Sequence, residues 1–405
     1  MDRRKFSLLG AASACSLMVP RGSRAQAAKP LKIGILNDLS SVYADFQGIG
    51  SKVAADLAVA DYASKLGTPV ETLIADHGNK PDVGAGLARR WFDNDGVDVV
   101  MDLPNSAVAL AVLAVANEKN KTVIGSGAGS SVLTGLQCSK NFVHWTYDTY
   151  AFGHGVGKAV SAEGGKTWFF ITADYAFGKD LEQNCADAVT AAGGKVLGVA
   201  RHPINTADFS SFLLQAQSSG ADVVAFANAG GDTSQSLKQA AEFGLGQKQR
   251  LAALVFDLQH VAPLGLQAAQ GVKTIQAFYW DMNEGTRAFA KRFSAAHPKG
   301  EYPNHMHAGM YASTAHLIKT VAQTGNAADG VKLVEAMKAM PTDDPLFGRG
   351  SIRADGRHIH PMYLFEAKKP AESTGKWDVF KLVSTIAPDD VWRPLDKGGC
   401  PFLKA

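Results

Sequence analysis

The sequence predicts an α/β protein of two Rossmann-like lobes, each built on a parallel sheet. Three observations carry this prediction. Short apolar strands alternate with amphipathic segments from Leu31 onward, the pattern of βαβ units. The same alternation restarts at Lys166. Once a 27-residue leader is set aside, 378 residues remain, more than a usual single domain of roughly 100–200 residues.

The first series opens with LKIGIL (31–36), an uninterrupted apolar run suited to a strand covered on both faces. Residues 48–66 follow as a helix, with Val53, Leu57 and Ala60 on one side. Strands are predicted at 70–75, 97–103 and 122–124, with helices at 82–92 and 106–118 between them. The second series has strands at 166–172, 195–199, 222–227 and 251–255, and helices at 178–192, 209–218 and 233–243. A further strand at 272–280 precedes helices at 284–296, 305–324 and 328–340. Residues 350–353, 361–366 and 377–382 read as short antiparallel strands between polar turns. Chain crossings placed near 147, 277 and 343 give one lobe of 28–147 plus 277–343 and another of 148–276 plus 344–385. Residues 386–405 form a tail returning toward the first lobe. Open α/β sheets bind ligands at the carboxyl ends of their strands, so a cleft is expected where the two sheets face each other.

The first 27 residues have the three parts of a secretory leader. Arg3-Arg4-Lys5 is basic, Phe6 to Pro20 is uncharged and mostly apolar, and Ala25-Gln26-Ala27 is a small-x-small cleavage site. The paired arginines resemble a twin-arginine signal, with Asp2 where Ser or Thr is more usual. The apolar run is shorter than the ~20 residues needed to span a bilayer. A lipoprotein reading on Cys15 is disfavoured by Ala12 three residues earlier. A periplasmic location is the expectation. Five cations against Asp2 give the leader a net +4, whereas the whole chain is +3. Residues 28–405 therefore carry −1, and neither nucleic acid nor an anionic membrane is an expected partner.

Cys138, Cys185 and Cys400 remain after cleavage. Cys185 shares a helical stripe with Leu181 and Val189 and reads as a core thiol. Cys138 and Cys400 lie in turn-like contexts and are the natural pair in an oxidising compartment, although an odd thiol count leaves other pairings open.

Motifs for catalysis are missing: no GxxxxGK[ST], HExxH, GxSxG or CxxC occurs. The run GSGAGSS (125–131) departs from a dinucleotide fingerprint, because Ser130 stands at its third glycine and it follows the fourth strand. His305/His307 and His358/His360 lack the company of a metal site and read as surface histidines. No cofactor is expected. The loops after the strands hold Ser, Asn, Asp, Tyr and Trp, a set that hydrogen-bonds a small polar ligand and stacks on its apolar part. Ser, Asn and Asp serve turns and caps in any α/β protein. Turns do not require Tyr43, Trp145, Tyr150 or Tyr175.

The stretches LKIGILNDLSSVYADFQGIGS (31–51), PDVGAGLARRWFDNDGVDVV (81–100), NFVHWTYDTYAFGHGVG (141–157), TWFFITADYAFGKDLE (167–182) and FGRGSIRADGRHIHPMYLFE (347–366) carry a family resemblance. In this order they resemble periplasmic solute-binding proteins of ABC transporters, in the leucine/isoleucine/valine-binding-like group with the type I periplasmic binding protein fold. The resemblance implies three hinge strands, closure on ligand, and a monomer that delivers its ligand to an ABC permease and ATPase complex without chemistry. It implies that Ser106, Ala128, Gly129 and Ser130 hold a ligand carboxylate. Tyr43, Trp145 and Tyr150 would line the apolar side, and Tyr175 and Asp232 would approach from the second lobe. In relatives that bind amino acids an acidic residue meets the ammonium. Asp232 is displaced by glycines from that place, and Asp257 is the other candidate. The expected ligand is a small amphipathic carboxylate, either a branched-chain or other apolar amino acid or an aromatic acid. A sensing module of the same fold and an amide- or urea-type receptor are the alternatives.

Overall fold

A computed structural model describes residues 29–403. The leader, its cleavage site and Cys15 lie outside the described residues. The first sheet is built from β1 (Leu31–Asn37), β2 (Val70–Asp76), β3 (Val99–Asp102), β4 (Thr122–Gly125) and β5 (Phe142–His144) in the order β2-β1-β3-β4-β5. All its pairings are parallel. Helices α1 (Gly48–Tyr62), α2 (Pro81–Arg90) and α3 (Ser106–Lys119) connect the strands. Strand β1 is buried on both faces, which explains its continuous apolar run.

Helix α4 (Thr149–Ala162) leads into the second parallel sheet, β6 (Thr167–Ala173), β7 (Lys195–His202), β8 (Val223–Ala227) and β9 (Arg250–Ala253), ordered β7-β6-β8-β9. Helices α5 (Ala176–Ala191), α6 (Ser210–Ser218) and α7 (Gly231–Glu242) connect it. The short helices α8 (Leu258–Leu264) and α9 (Leu266–Ala269) follow, then β10 (Lys273–Gln276). Helices α10 (Glu284–Ala296), α11 (His305–Thr324) and α12 (Gly330–Ala339) come next, and α11 packs on α1 of the first lobe. A hairpin group, β11 (Thr342–Asp344), β12 (Gly348–Ile352) and β13 (His358–Ile359), precedes β14 (Met362–Ala367) and β15 (Phe380–Ile386). The last two form an antiparallel sheet with β10. Helix α13 (Pro388–Val391) starts the tail, and a disulfide joins Cys138 to Cys400 with Cα atoms 5.5 Å apart.

The structure corrects the sequence reading in four places. The strand predicted at 272–280 is only β10, because Ala277, Phe278 and Tyr279 are buried crossing residues rather than ladder residues. Helix α4 had no counterpart in the prediction. Its Gly153, Gly155 and Gly157 interrupt the apolar stripe, yet Gly153 and Gly157 allow close packing on α5, where a Cβ at Gly153 would stand 2.8 Å from the Leu181 carbonyl oxygen, and Gly155 makes room for Ile275 of β10. Strand β5 is three residues long and was likewise unassigned. The histidines 305, 307, 358 and 360 are buried, not on the surface. Helix α11 is buried around most of its circumference, so it has no outward face for His305 or His307. His358 and His360 pack against the crossing strand, with His360 Nε2 3.0 Å from the Thr146 carbonyl oxygen.

One apolar core runs through both sheets. It links Ile33, Val99 and Ile124 to Trp145, Tyr147 and Phe278 at the crossings, and onward to Trp168, Phe170 and Val223. Among the described residues, no helix is long and apolar enough to cross a membrane.

Candidate functional site

The strand ends of both sheets converge on one cleft. After β1, the Asp38 carboxylate accepts from the backbone N–H of Ser41 and of Tyr43, each at 2.9 Å, and from Asn79 Nδ2 at 2.6 Å. This folds the 38–46 loop over the sheet end and projects Tyr43 into the cleft. The Asn304 side chain secures the far end of the loop, donating to the Phe46 carbonyl at 2.6 Å.

After β3 the chain turns sharply through two residues of positive φ, Asp102 (86°) and Leu103 (64°), a strained conformation for residues with side chains. The buried Asp102 carboxylate accepts from Gln47 Nε2 at 2.6 Å, Ser126 Oγ at 3.1 Å and the Asn37 amide. Burial raises its pKa to about 7. Its carbonyl accepts from Gly127 and Ala128 N–H at 3.0 and 3.3 Å.

Asn105 caps α3, accepting from the N–H of Ala107 and Val108. Ser106 is the next residue. Its Oγ accepts from Gly129 N–H at 3.3 Å and Ser130 N–H at 3.0 Å. Ser131 N–H meets Thr149 Oγ1 at 2.9 Å and the Asp180 carboxylate at 2.6 Å. Ser130 Oγ donates to Asp180 at 2.9 Å. The N–H groups of residues 127–131, which sequence assigned to a ligand carboxylate, therefore all have partners within the protein. Gly129 is also constrained sterically: a Cβ there would lie 2.5 Å from the Phe177 ring and 2.8 Å from the Tyr147 ring.

Tyr43 and Tyr175 meet through their hydroxyls, one from each lobe. Tyr175 stands at the start of α5. Gly231 N–H donates to the Val42 carbonyl at 2.9 Å, a second direct contact between lobes. The lobes are thus closed on each other. Around the tyrosine pair stand Phe46, Gln47, Pro104, Tyr147, Phe177 and Ala229, enclosing a chamber with about 10 Å³ of free space, room for roughly one water. A wider compartment of about 550 Å³ opens beyond Phe46, lined by Ser40, Asp45, Asn205, Asp232, Gln259 and His260 among others. Burial pushes both phenol pKa values up, so Tyr43 and Tyr175 remain hydrogen-bond donors at neutral pH.

Two residues expected to line the apolar side lie elsewhere. Trp145 is fully buried at the crossing, its ring stacked 4.2 Å from that of His358, on the hinge side of the cleft. Tyr150 is only half-buried on α4, stacked on His154 one turn along. Tyr147 takes the place sequence gave to Trp145. Its hydroxyl donates to the Gly127 carbonyl at 2.6 Å, and its ring packs on Phe152 and His305. Phe46, Tyr147 and Phe177 were missed, although they resemble Tyr43 in place: Phe46 and Tyr147 are aromatic residues in loops after strands, and Phe177 stands in the first turn of α5 just after such a loop.

Asp232 lies in the first turn of α7 and accepts from Asn205 and Thr206 N–H at 3.1 and 3.0 Å. Burial raises its pKa to about 6. Asp257 caps α8 through Oδ1, which accepts from Leu258 N–H at 2.6 Å. Its Oδ2 has no hydrogen-bond partner and lies 3.6 Å from His305 Nδ1. Burial raises the Asp257 pKa to about 7 and lowers that of His305 to about 3. Among the described residues, no cluster of His, Cys, Asp or Glu could hold a metal ion.

The two-lobed fold with an aromatic interlobe chamber does not by itself assign a role, and similarity to known proteins decides the family. A profile described as periplasmic binding protein matches residues 30–376. The chain belongs to this family. A periplasmic binding protein of Burkholderia mallei is 45% identical with a TM-score of 0.89, and the match covers 93% of this chain and 99% of that one. A branched-chain amino acid ABC transporter periplasmic ligand-binding protein of Burkholderia xenovorans is 37% identical, with a TM-score of 0.81 and coverage of 92% and 100%. An ABC transporter solute-binding protein of Rhodopseudomonas palustris, solved with benzoate, shares the fold at 24% identity and a TM-score of 0.78, covering 89% and 97%. The last two are named as ligand-binding components of ABC transporters.

Proposed function

We propose that this protein is the extracytoplasmic receptor of an ABC importer and that it captures a small aromatic acid between its lobes. The observation that carries this reading is the chamber built around the Tyr43–Tyr175 hydroxyl pair, with Phe46, Tyr147 and Phe177 as further walls. Flat aromatic walls suit a flat ring. Once the lobes part and the hydroxyl pair separates, both phenols are free to donate to a carboxylate, whereas the amides of the 127–131 loop are already engaged. The benzoate-bound relative is consistent with this choice. Entry requires the lobes to part, because the closed chamber has no room for a solute. The two parallel sheets with their helices are the two bodies of this motion, the β11–β13 hairpin group moving with the first because His144 bridges Arg357, and their closed seam is the surface offered to the permease.

An apolar amino acid is the second reading. The unpartnered Oδ2 of Asp257 favours it, as a buried acceptor for an ammonium group, and the Burkholderia xenovorans relative is of the branched-chain amino acid type. Asp232 is the weaker candidate, since both its oxygens already accept backbone N–H groups.

Thermal unfolding of ligand-stripped protein against benzoate, hydroxybenzoates, leucine, isoleucine, valine and phenylalanine separates the two. A ligand specific to the folded state adds about 2.7 kcal/mol at one hundred times its Kd. Stabilisation by the benzoates alone supports the aromatic-acid reading. Stabilisation by the aliphatic amino acids alone replaces it with the second.

A further inference from the structure

We propose that the C-terminal tail is a disulfide-anchored strap across the two lobes, that Asp180 holds the closed state through Ser130 and Ser131, and that Arg393 fastens the tail to Ser131 on the first lobe. The tail leaves the second lobe at β15, whose Ile386 pairs with Met362 of β14. Helix α13 then packs on α4. Trp392 Nε1 donates to the His360 carbonyl at 2.8 Å, and the Arg357 guanidinium lies over the Trp392 ring at 4.4 Å. From Arg393 the tail belongs to the first lobe. Arg393 Nη2 donates to the Ser131 carbonyl at 2.8 Å and Nη1 reaches Ser131 Oγ at 3.4 Å. A Cβ at Gly135 would meet both Arg393 Nη2 and the Gly398 carbonyl oxygen at 2.7 Å, so the tail lies tightly on the 131–138 loop. The disulfide to Cys138 makes this attachment covalent.

The same Ser131 faces α5 of the second lobe. Asp180 accepts from its N–H at 2.6 Å and from its Oγ at 3.0 Å, from Ser130 Oγ at 2.9 Å, and from the Thr149 hydroxyl. Opening the cleft carries Asp180 away from Ser130 and Ser131 and breaks charge-assisted bonds. Arg393 travels with the first lobe because the disulfide holds it there. The segment between Ile386 and Arg393 is then the only slack, and it limits the amplitude of opening. Asp180 sets the cost of the first separation, and the strap sets its extent. Both act on lobe position, and neither Asp180 nor Arg393 lines the tyrosine chamber. Reducing the disulfide releases the strap, which couples receptor opening to the oxidising state of the compartment.

The device rests on lobe closure, as the proposed receptor function does, but its test needs no ligand. Spin labels on Lys65→Cys in the first lobe and Lys195→Cys in the second, both exposed, report interlobe distance in the ligand-free full chain. Cys185 is buried and does not compete for label, and Cys15 is replaced by Ser throughout. The double variant Cys138→Ser/Cys400→Ser should move the distribution to longer separations and broaden it. Asp180→Asn should raise the open:closed ratio about tenfold without lengthening the maximum distance. If the cysteine variant fails to fold, Arg393→Gln with the disulfide intact decides, and should also extend the long-distance edge. A parent-like distribution in the strap variant overturns the strap, whatever Asp180→Asn does. A parent-like open:closed ratio in Asp180→Asn overturns the Asp180 grip. A failure of ligand binding in the solute panel would leave these distances unchanged, so the two readings fail separately.

Discussion

Ser106 shows how a residue chosen for one role serves another. Its hydroxyl oxygen accepts the N–H groups of Gly129 and Ser130, so it builds the loop instead of facing the chamber. Ser106→Ala should therefore lower unfolding stability by about 1–3 kcal/mol, the cost of leaving buried donors unsatisfied, as read by denaturant titration. A variant of parental stability and weakened ligand binding would restore the direct role. Gly129 stands beside it, where a methyl group would run into the rings of Phe177 and Tyr147. Gly129→Ala should cost about 1–3 kcal/mol by overpacking, and it should weaken closure because Phe177 comes from the other lobe. Sequence marked this loop as a candidate carboxylate site from its small residues and serines. It could not reveal that internal acceptors take up the loop's amides, because Asp102 and Asp180 lie far from it along the chain.

At the scale of elements, legibility followed burial pattern. The apolar runs of β1, β6 and β8 are visible because parallel strands covered on both faces leave no polar alternation. Helix α11 was placed correctly from residue 305 to 324, since Asn304 is a capping residue and Gly325 closes the helix in the left-handed region. Helix α4 was hidden by the glycines that let it approach α5, and α8 by Pro263 inside a helix of only seven residues. The N-cap of α11 also supports the site. Asn304 accepts from Met306 and His307 N–H while its amide holds Phe46 and reaches Gln259. Asn304→Ala should cost about 1–2 kcal/mol and loosen the Phe46 wall, visible as faster amide hydrogen exchange at residues 43–47. Exchange unchanged in that loop would detach the cap from the site.

For the whole molecule, buried titratable groups set opposing pH responses. Burial lowers the pKa of His77, His316 and His360 to about 4, and of His260, His305 and His307 to about 3. These rings are neutral when folded and take protons when unfolded below ~6.5. Their stability is complete above that value and is lost as pH falls toward 3–4. Asp102 and Asp257, raised to about 7, and Asp232 and Asp344, raised to about 6, act in the other direction. Protonated in the folded state, they contribute stability below ~3.9 that is lost as pH rises through 6–7. The histidines outnumber the carboxylates, so unfolding free energy should fall between pH 6.5 and 4. Asp257→Asn removes one opposing group. It should steepen that acid loss and raise stability at pH 8 relative to the parent, as measured by urea titration at the two pH values. An Asp257→Asn profile parallel to the parent's would contradict the buried, unpartnered state of this carboxylate.

The two-lobed plan was legible because the βαβ series restarts at Lys166, whereas the chamber was legible only in part. Tyr43 and Tyr175 were found, Tyr147 was displaced by its neighbour Trp145, and Phe46 and Phe177 were passed over. What separates these residues is which side of a crossing strand or loop each side chain takes, and that depends on the partner lobe. In the proposed function a solute is held between the lobes by the tyrosine pair. Calorimetric titration of ligand-stripped protein with 4-hydroxybenzoate, alongside its Tyr175→Ala variant, tests this. Saturable one-to-one binding by the parent and at least about a tenfold weaker affinity in the variant are expected. Binding of equal affinity in both would place the solute away from the tyrosine pair.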